Sequence, residues 1–181
     1  MAALNQRDDA YGGSRENRAR LLLDVADACV AVWDAEHIAI RISPIGHFNG
    51  MPGDFGHEDT LWLVDELNQR GLMYLHISEP DFAGAASLSD AYRVEIRRRF
   101  KQAIIGAGLY TPAKANRLIE AGLIDAAAFG RDFIANPDLP ERFACNAELN
   151  PYRGELAYGG GAEGYTDYPF LEAQCEGATH D

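Results

Sequence analysis

The chain has 181 residues, a formal net charge of −12 and 47% hydrophobic residues. This hydrophobic fraction excludes a disordered chain, and the length suits one domain with a sizeable core. The acidic balance argues against a nucleic-acid partner, because duplex binding depends on cations that neutralise phosphates. An anionic ligand would therefore need a local positive site.

Three features of the sequence indicate a soluble cytoplasmic protein without a membrane partner. No apolar run reaches the length of a membrane span, and the first residues contain no signal-peptide core. Cys29, Cys145 and Cys175 are widely scattered without metal-type spacing. Their number and placement predict reduced thiols rather than a metal site or a disulfide framework.

Apolar periodicity predicts an alternation of helices and strands along the chain. Helices are expected over about 15–33, 60–70, 90–101 and 112–122, with a further helix beginning near Asn136 and Pro137. Strands are expected in HIAIRIS (37–43), in LMYLHIS (72–78) and in the runs 103–105 and 123–129. This order predicts an α/β fold with a parallel sheet, followed by a tyrosine- and glycine-rich tail.

The stretch 104–131 contains two successive segments, each with a strand, a glycine turn and the start of a helix. In the first segment Gly106, Ala107 and Gly108 let backbone amides approach a ligand, and Thr111 can cap the helix that follows. In the second segment Gly130 is followed by the cation of Arg131. Two amide-lined turns, a helix N-terminus and a guanidinium together predict a phosphate site.

Other polar residues leave more than one interpretation open. Arg41 lies in an apolar strand, so it needs a carboxylate, a backbone acceptor or an anionic ligand. His76 ends another apolar strand, where a hydrogen-bonded structural histidine is commoner than a catalytic one. His47 and His57 are ten residues apart without a third ligand, so no metal site is predicted.

The place of the glycine turns locates the chain within a known architecture. In (β/α)8 barrels, the loops after strands 7 and 8 commonly form the phosphate site. If the last two strands here are strands 7 and 8, the first two are strands 5 and 6, and strands 1 to 4 are absent. The sequence therefore predicts the C-terminal half of a (β/α)8 TIM barrel, with a C-terminal tail.

Five segments, in one order, resemble the Old Yellow Enzyme family, and in particular its bacterial N-ethylmaleimide and alkene reductases. These are NQRDDAYGGSRENRARLLLDV, IRISP, IIGAGLYT, FGRDFIANPDL and YGGGAEGYTDYP. The resemblance covers 5–169 and implies one partial barrel domain over 1–181, with a flexible tail at 170–181. It also implies an FMN-dependent oxidoreductase that oxidises NAD(P)H and reduces activated alkenes, quinones or nitro compounds.

The resemblance assigns roles to residues of this chain. Arg41 would lie by the polar end of the flavin ring, where a cation stabilises negative charge on the reduced cofactor. The FMN phosphate would be held by the amides of the first glycine turn and by the second turn with its guanidinium. The residues of those two turns are Gly106, Ala107, Gly108, Gly130 and Arg131. The substrate pocket would be lined by Asn49, Phe82 and Tyr158.

The resemblance also implies what this chain lacks. In the family, a histidine pair or His-Asn pair holds the substrate oxygen and a tyrosine donates a proton. Both belong to the region of strand 4, so no catalytic residue is expected here. The chain would need a complementary N-terminal half, or pairing of two half barrels. Two alternatives are an inactive, self-associating half barrel and a different sugar-phosphate barrel enzyme using Glu79 or a metal.

Overall fold

The computed structural model describes residues 4–45, 56–79, 81, 86–159 and 161–171. The chain divides into two compact units, 1–128 and 129–181. The first unit contains the whole described sheet, and the second contains two short helices and the described part of the tail. No helix among the described residues is long and apolar enough to cross a membrane.

Helices and strands alternate through the first unit. The helices are α1 (Arg15–Trp33), α2 (His57–Gln69), α3 (Asp90–Arg99) and α4 (Pro112–Glu120), with a short 3-10 helix at Ala35–His37. The strands are β1 (Ala39–Ile42), β2 (Tyr74–Ser78), β3 (Ala103–Ala107) and β4 (Ala126–Ala128). The predicted order is confirmed.

The helix starts follow from capping side chains. Ser14, Ser89 and Thr111 each accept a hydrogen bond from the amide three residues ahead, which satisfies one of the unpaired donors at the start of α1, α3 and α4. Pro112 occupies the first turn of α4, where its missing N–H costs nothing.

The four strands form one parallel sheet in the order β1-β2-β3-β4. Consecutive strands are neighbours, each joined through a helix, as in successive units of a β/α barrel. Among the described residues, β1 and β4 each have a strand neighbour on one side only.

The two faces of the sheet differ in burial. One face carries Leu75, Ile77 and Ile104, which are buried with apolar residues of the helices: Val64, Leu67, Ile96 and Leu118. Burying each of these side chains contributes about 1.5–3 kcal/mol before entropy is counted. The opposite face carries Arg41, His76, Ile105 and Ala126, which lie in register across the four strands and are all partly or largely exposed.

The second unit contains α5 (Arg131–Ala135) and α6 (Leu139–Ala144). The chain breaks between them because Asn136, which precedes a proline, adopts an extended conformation with φ of −136°. Helix α6, predicted to begin near Asn136, begins at Leu139. Its buried Arg142 donates to Asp138 at 2.7 Å and to the Pro169 carbonyl at 3.0 Å, which fixes the tail to this unit.

The cysteine prediction is wrong in part. Cys29 is a free thiol, as expected. Cys145 is disulfide-bonded rather than reduced. The cysteine count therefore carries no argument for a reducing compartment.

Candidate functional site

Two glycines at the end of β3, Gly106 within the strand and Gly108 directly after it, lie against side chains of the protein itself. A Cβ placed on Gly106 would come within 3.0 Å of Tyr110 Cζ and closer still to its hydroxyl. A Cβ on Gly108 would come within 2.8 Å of Asp81 Oδ1 and 3.0 Å of Glu79 Cβ. The contacts with the Tyr110 hydroxyl and with Asp81 Oδ1 are closer than a Cβ atom can come without a shift of its neighbours. Internal packing therefore favours glycine at these two positions.

Glu79 is the centre of the buried cluster behind this loop. Its carboxylate accepts from Arg93 Nη2 at 2.7 Å, from the Tyr110 hydroxyl at 2.6 Å and from the Leu88 amide at 3.0 Å. The Glu79 and Arg93 side chains are 0% and 2% exposed. Glu79 is thus satisfied and closed to solvent, which argues against its use as a general acid or base.

The pKa values of the partners follow from this environment. Burial alone would lower the pKa of Arg93, but the Glu79 carboxylate outweighs burial and the pKa is raised. Burial, reinforced by the hydrogen bond to Glu79, raises the pKa of Tyr110. The raised pKa values of both groups keep Arg93 charged and the Tyr110 phenol neutral at neutral pH.

Asp81 joins this cluster to the loop backbone. Its Oδ1 accepts from the Leu109 amide at 2.7 Å, and its Oδ2 accepts from the Ser87 hydroxyl at 3.0 Å. Lys114 Nζ lies 3.4 Å from the same oxygen and 4.2 Å from the centre of the Tyr110 ring. The amide directly after the predicted phosphate turn, that of Leu109, is thus bound to an internal carboxylate, and Lys114 of α4 lies beside that carboxylate.

Arg41 has a hydroxyl partner on the exposed sheet face. Its Nη2 donates to Ser78 Oγ at 2.9 Å, and it forms no ion pair with any residue that the structure describes. Arg41 as a whole is exposed. No carboxylate partner of Arg41 is found among the described residues. An anionic ligand is one of the other partners that the sequence allows.

His76 lies beside Arg41 in the register of the sheet. Its Nε2 is buried and has no hydrogen-bond partner among the described residues, so the expectation of a hydrogen-bonded structural histidine is not met at that atom. Burial, and then the nearby charge of Arg41, lowers the pKa of His76. The ring is therefore neutral at pH 7.

In the second unit, Gly130 directly precedes α5 and leaves open space. A Cβ placed there would meet no described atom within 4 Å. Arg131 is exposed, and its charge acts on Tyr152. Burial and the neighbouring Tyr158 raise the pKa of Tyr152, whereas Arg131 lowers it, with the increase prevailing. Tyr158 is largely exposed.

Other predicted residues fall outside this geometry. Asn49, Phe82 and His47 lie outside the described residues. His57 stacks near the Tyr92 ring, with centroids 4.1 Å apart. Within the described ranges, no group of three or more histidine, cysteine or acidic residues could hold a metal ion.

Sequence reasoning missed the cluster formed by Arg93, Tyr110, Asp81 and Lys114 around Glu79. Arg93 lies four residues before Arg97, within a helix whose charged residues are typical of a solvated surface. The SEPD segment after β2 carried the available signal, because two carboxylates at a strand end require cations nearby.

Comparisons with known proteins agree with this fold and these motifs. The model of the NADH:flavin oxidoreductase / NADH oxidase family matches residues 1–150. A putative 12-oxophytodienoate reductase 4 from Oryza sativa subsp. japonica is 40% identical over 179 residues, which are 96% of this chain and 47% of the relative.

Solved structures show the same partial match. Morphinone reductase in complex with tetrahydroNAD superposes with a TM-score of 0.86 and 44% identity, over 93% of this chain and 45% of that one. The Old Yellow Enzyme homologue from Zymomonas mobilis superposes with a TM-score of 0.84 and 36% identity, over 92% of this chain and 48% of that one.

The chain thus spans about half the length of the relatives that it matches. Together with the four parallel strands, this confirms the prediction of half a β/α barrel. The chain belongs to the NADH:flavin oxidoreductase / NADH oxidase family and, within it, to the Old Yellow Enzyme proteins.

Proposed function

We propose that this chain supplies the FMN-phosphate half of an NAD(P)H-dependent ene-reductase. The observation that carries the proposal is the loop after β4, where a side chain on Gly130 would meet no described atom within 4 Å and an exposed arginine follows it. Open space beside backbone amides and a guanidinium is the combination that an anionic phosphate requires.

The two glycine turns would act on the phosphate of FMN. Gly130 and Arg131 would bind the phosphate, together with the amides of Gly106, Ala107 and Gly108. The Leu109 amide, directly after that turn, is already bound by Asp81. Asp81 does not add an unbalanced charge to that turn, since Lys114 lies beside it.

Arg41 would act at the other end of the cofactor. Its exposed donors, with Ser78 holding one of them, suit a group that becomes negative on reduction. FMN would supply the hydride chemistry, with NAD(P)H as reductant and an activated alkene, quinone or nitro compound as acceptor. The tetrahydroNAD in the morphinone reductase complex supports a nicotinamide reductant. Tyr158, Asn49 and Phe82 would line the substrate side.

The proposed activity requires groups that belong to the other half of the family barrel. A complementary polypeptide would supply the substrate-anchoring pair and the proton donor, whereas pairing with a second copy of this half barrel would not, because that copy lacks the same groups. We place this assembly in the cytoplasm. The alternative is an inactive chain that self-associates, supported by the single-sided neighbours of β1 and β4.

Flavin content and turnover test this proposal. The purified chain is expected to carry or take up FMN, seen as a yellow protein with a shifted flavin spectrum. NADPH oxidation in the presence of 2-cyclohexenone is expected only after a complementary N-terminal half from a relative is added. Colourless protein without FMN affinity, with or without that half, would refute the active form.

A further inference from the structure

One carboxylate joins two neighbouring loops at the carboxyl edge of the sheet. Asp81 lies in the loop after β2, and its side chain is only 7% exposed. Its Oδ1 accepts from the Leu109 amide in the loop after β3, and a Cβ on Gly108 would come within 2.8 Å of the same oxygen. A hydrogen bond from a backbone amide to a carboxylate is among the stronger ones in proteins. Asp81 therefore fixes the backbone directly after the predicted phosphate turn.

Lys114 is the cation beside this carboxylate, and its side chain is 21% exposed. Its Nζ lies 3.4 Å from Asp81 Oδ2, 3.3 Å from Ser87 Oγ, 3.7 Å from Glu79 Oε2 and 4.2 Å from the centre of the Tyr110 ring. Three of these groups follow β2, and the tyrosine follows β3. The ammonium group therefore contacts both loops.

The place of Lys114 within its helix is unfavourable for a cation. Lys114 lies in the first turn of α4, which begins at Pro112. The N-terminus of a helix carries partial positive charge, so it favours anionic groups and disfavours cations. The position of Lys114 is thus explained by the carboxylates that it meets across the loops, and not by a contribution to the helix.

The two carboxylates differ in how much they depend on this lysine. Glu79 has a cation of its own, because Arg93 Nη2 lies 2.7 Å from its Oε2. Among the described residues, Lys114 is the one cation that forms an ion pair with Asp81. Loss of the lysine would therefore leave the charge of Asp81, and not that of Glu79, without a partner beside the predicted phosphate turn.

We propose that Asp81 and Lys114 are a positioning pair for the phosphate group of FMN, an inference that rests on the proposed function. Asp81 holds the backbone that follows the turn at 106–108, and Lys114 offsets the negative charge that Asp81 brings to this edge of the sheet. Neither side chain needs to contact the ligand. Without the lysine, the carboxylate would repel a phosphate at the neighbouring amides, because charges in a partly buried site are screened weakly.

Fluorescence titration with FMN and with riboflavin, which lacks the phosphate, tests the pair. Lys114→Met should weaken FMN binding about tenfold and leave riboflavin binding unchanged. Lys114→Arg, which keeps the cation, should retain most of the FMN affinity. The control Lys101→Met makes the same change of net charge at an exposed lysine before β3, and it should leave both affinities unchanged. An unchanged far-UV CD spectrum checks that each variant folds.

A double variant separates the charge of the pair from its packing. In Lys114→Met with Asp81→Asn, the carboxamide oxygen can still accept from the Leu109 amide, and the unpaired negative charge is gone. This protein should bind FMN more tightly than Lys114→Met alone and approach the wild-type affinity. A purely structural role of the lysine predicts no such recovery.

The outcomes separate this inference from the proposed function. If wild type prefers FMN and Lys114→Met keeps that preference, the pair does not act on the phosphate and the proposed function stands. Equal weakening of FMN and riboflavin in Lys114→Met, or a double variant that binds FMN no better than Lys114→Met, would also overturn the pair alone. Equal affinity of the wild-type chain for the two flavins would overturn the proposed function and the pair with it.

Discussion

The two glycine turns look alike in sequence and differ in structure. In the β3–α4 turn, the space beside Gly106 and Gly108 is filled by Tyr110, Asp81 and Glu79. In the turn before α5, a side chain on Gly130 would meet no described atom within 4 Å. Both turns precede a helix, and only the second has a basic residue directly after its glycine.

This difference separates two reasons for glycine. In the first turn, glycine is needed because a buried ion pair and a phenol pack against the backbone, and any ligand contact comes in addition. In the second turn the protein itself makes no such demand, as at other exposed glycines such as Gly122, so the arginine directly after Gly130 is the feature that indicates an anionic ligand. The following predictions test this distinction, beginning with the largest effect.

Removal of the Glu79 charge should have the largest effect on stability. Glu79→Gln leaves Arg93 buried without its carboxylate, and breaking a buried pair in this way costs about 3–5 kcal/mol. Chemical denaturation of the purified variant measures the loss. Glu95→Gln, which removes an exposed partner of Arg98, is the control and should cost less than about 1 kcal/mol. Equal, small losses would show that the cluster does not hold the first turn.

Alanine at the two turns should separate them directly. Gly106→Ala forces the Tyr110 ring out of place and should destabilise the chain by about 1–3 kcal/mol. Gly130→Ala should change stability by less than about 0.5 kcal/mol, because Gly130 has a negative φ of −98° and open space. Similar losses at both glycines would contradict the distinction.

Sequence reasoning could predict the fold but only part of the site. Apolar periodicity and the capping residues Ser14 and Thr111 depend on neighbours along the chain, so the helices, the strands and the parallel order could be anticipated. The glycine turns were recognised for the same reason. The partners of Glu79 could not be anticipated, because Arg93 and Tyr110 lie 14 and 31 residues away and only folding brings them together. Ser78 as the partner of Arg41 was missed for the same reason.

The smallest effect concerns pH and the exposed sheet face. Because the pKa of His76 is lowered from 6.5, the unfolded chain takes up a proton before the folded chain does. Stability contributed by neutral His76 is therefore lost as the pH falls from about 7 through the lowered pKa. Denaturation of His76→Asn at pH 7 and pH 5 should show a smaller difference than wild type. An unchanged difference would indicate that His76 is not shielded.

The central claim is that this chain carries the phosphate end of an FMN site, and a comparison of FMN with riboflavin tests it most directly. The two ligands share the ring system and differ in the phosphate. Flavin fluorescence titration of the wild-type chain is expected to show FMN binding at least tenfold tighter than riboflavin. Arg131→Met should reduce this ratio towards one, and the control Arg98→Met, a change of the same kind at an exposed helix position, should leave it unchanged. Equal affinity of the wild-type chain for FMN and riboflavin would contradict the account.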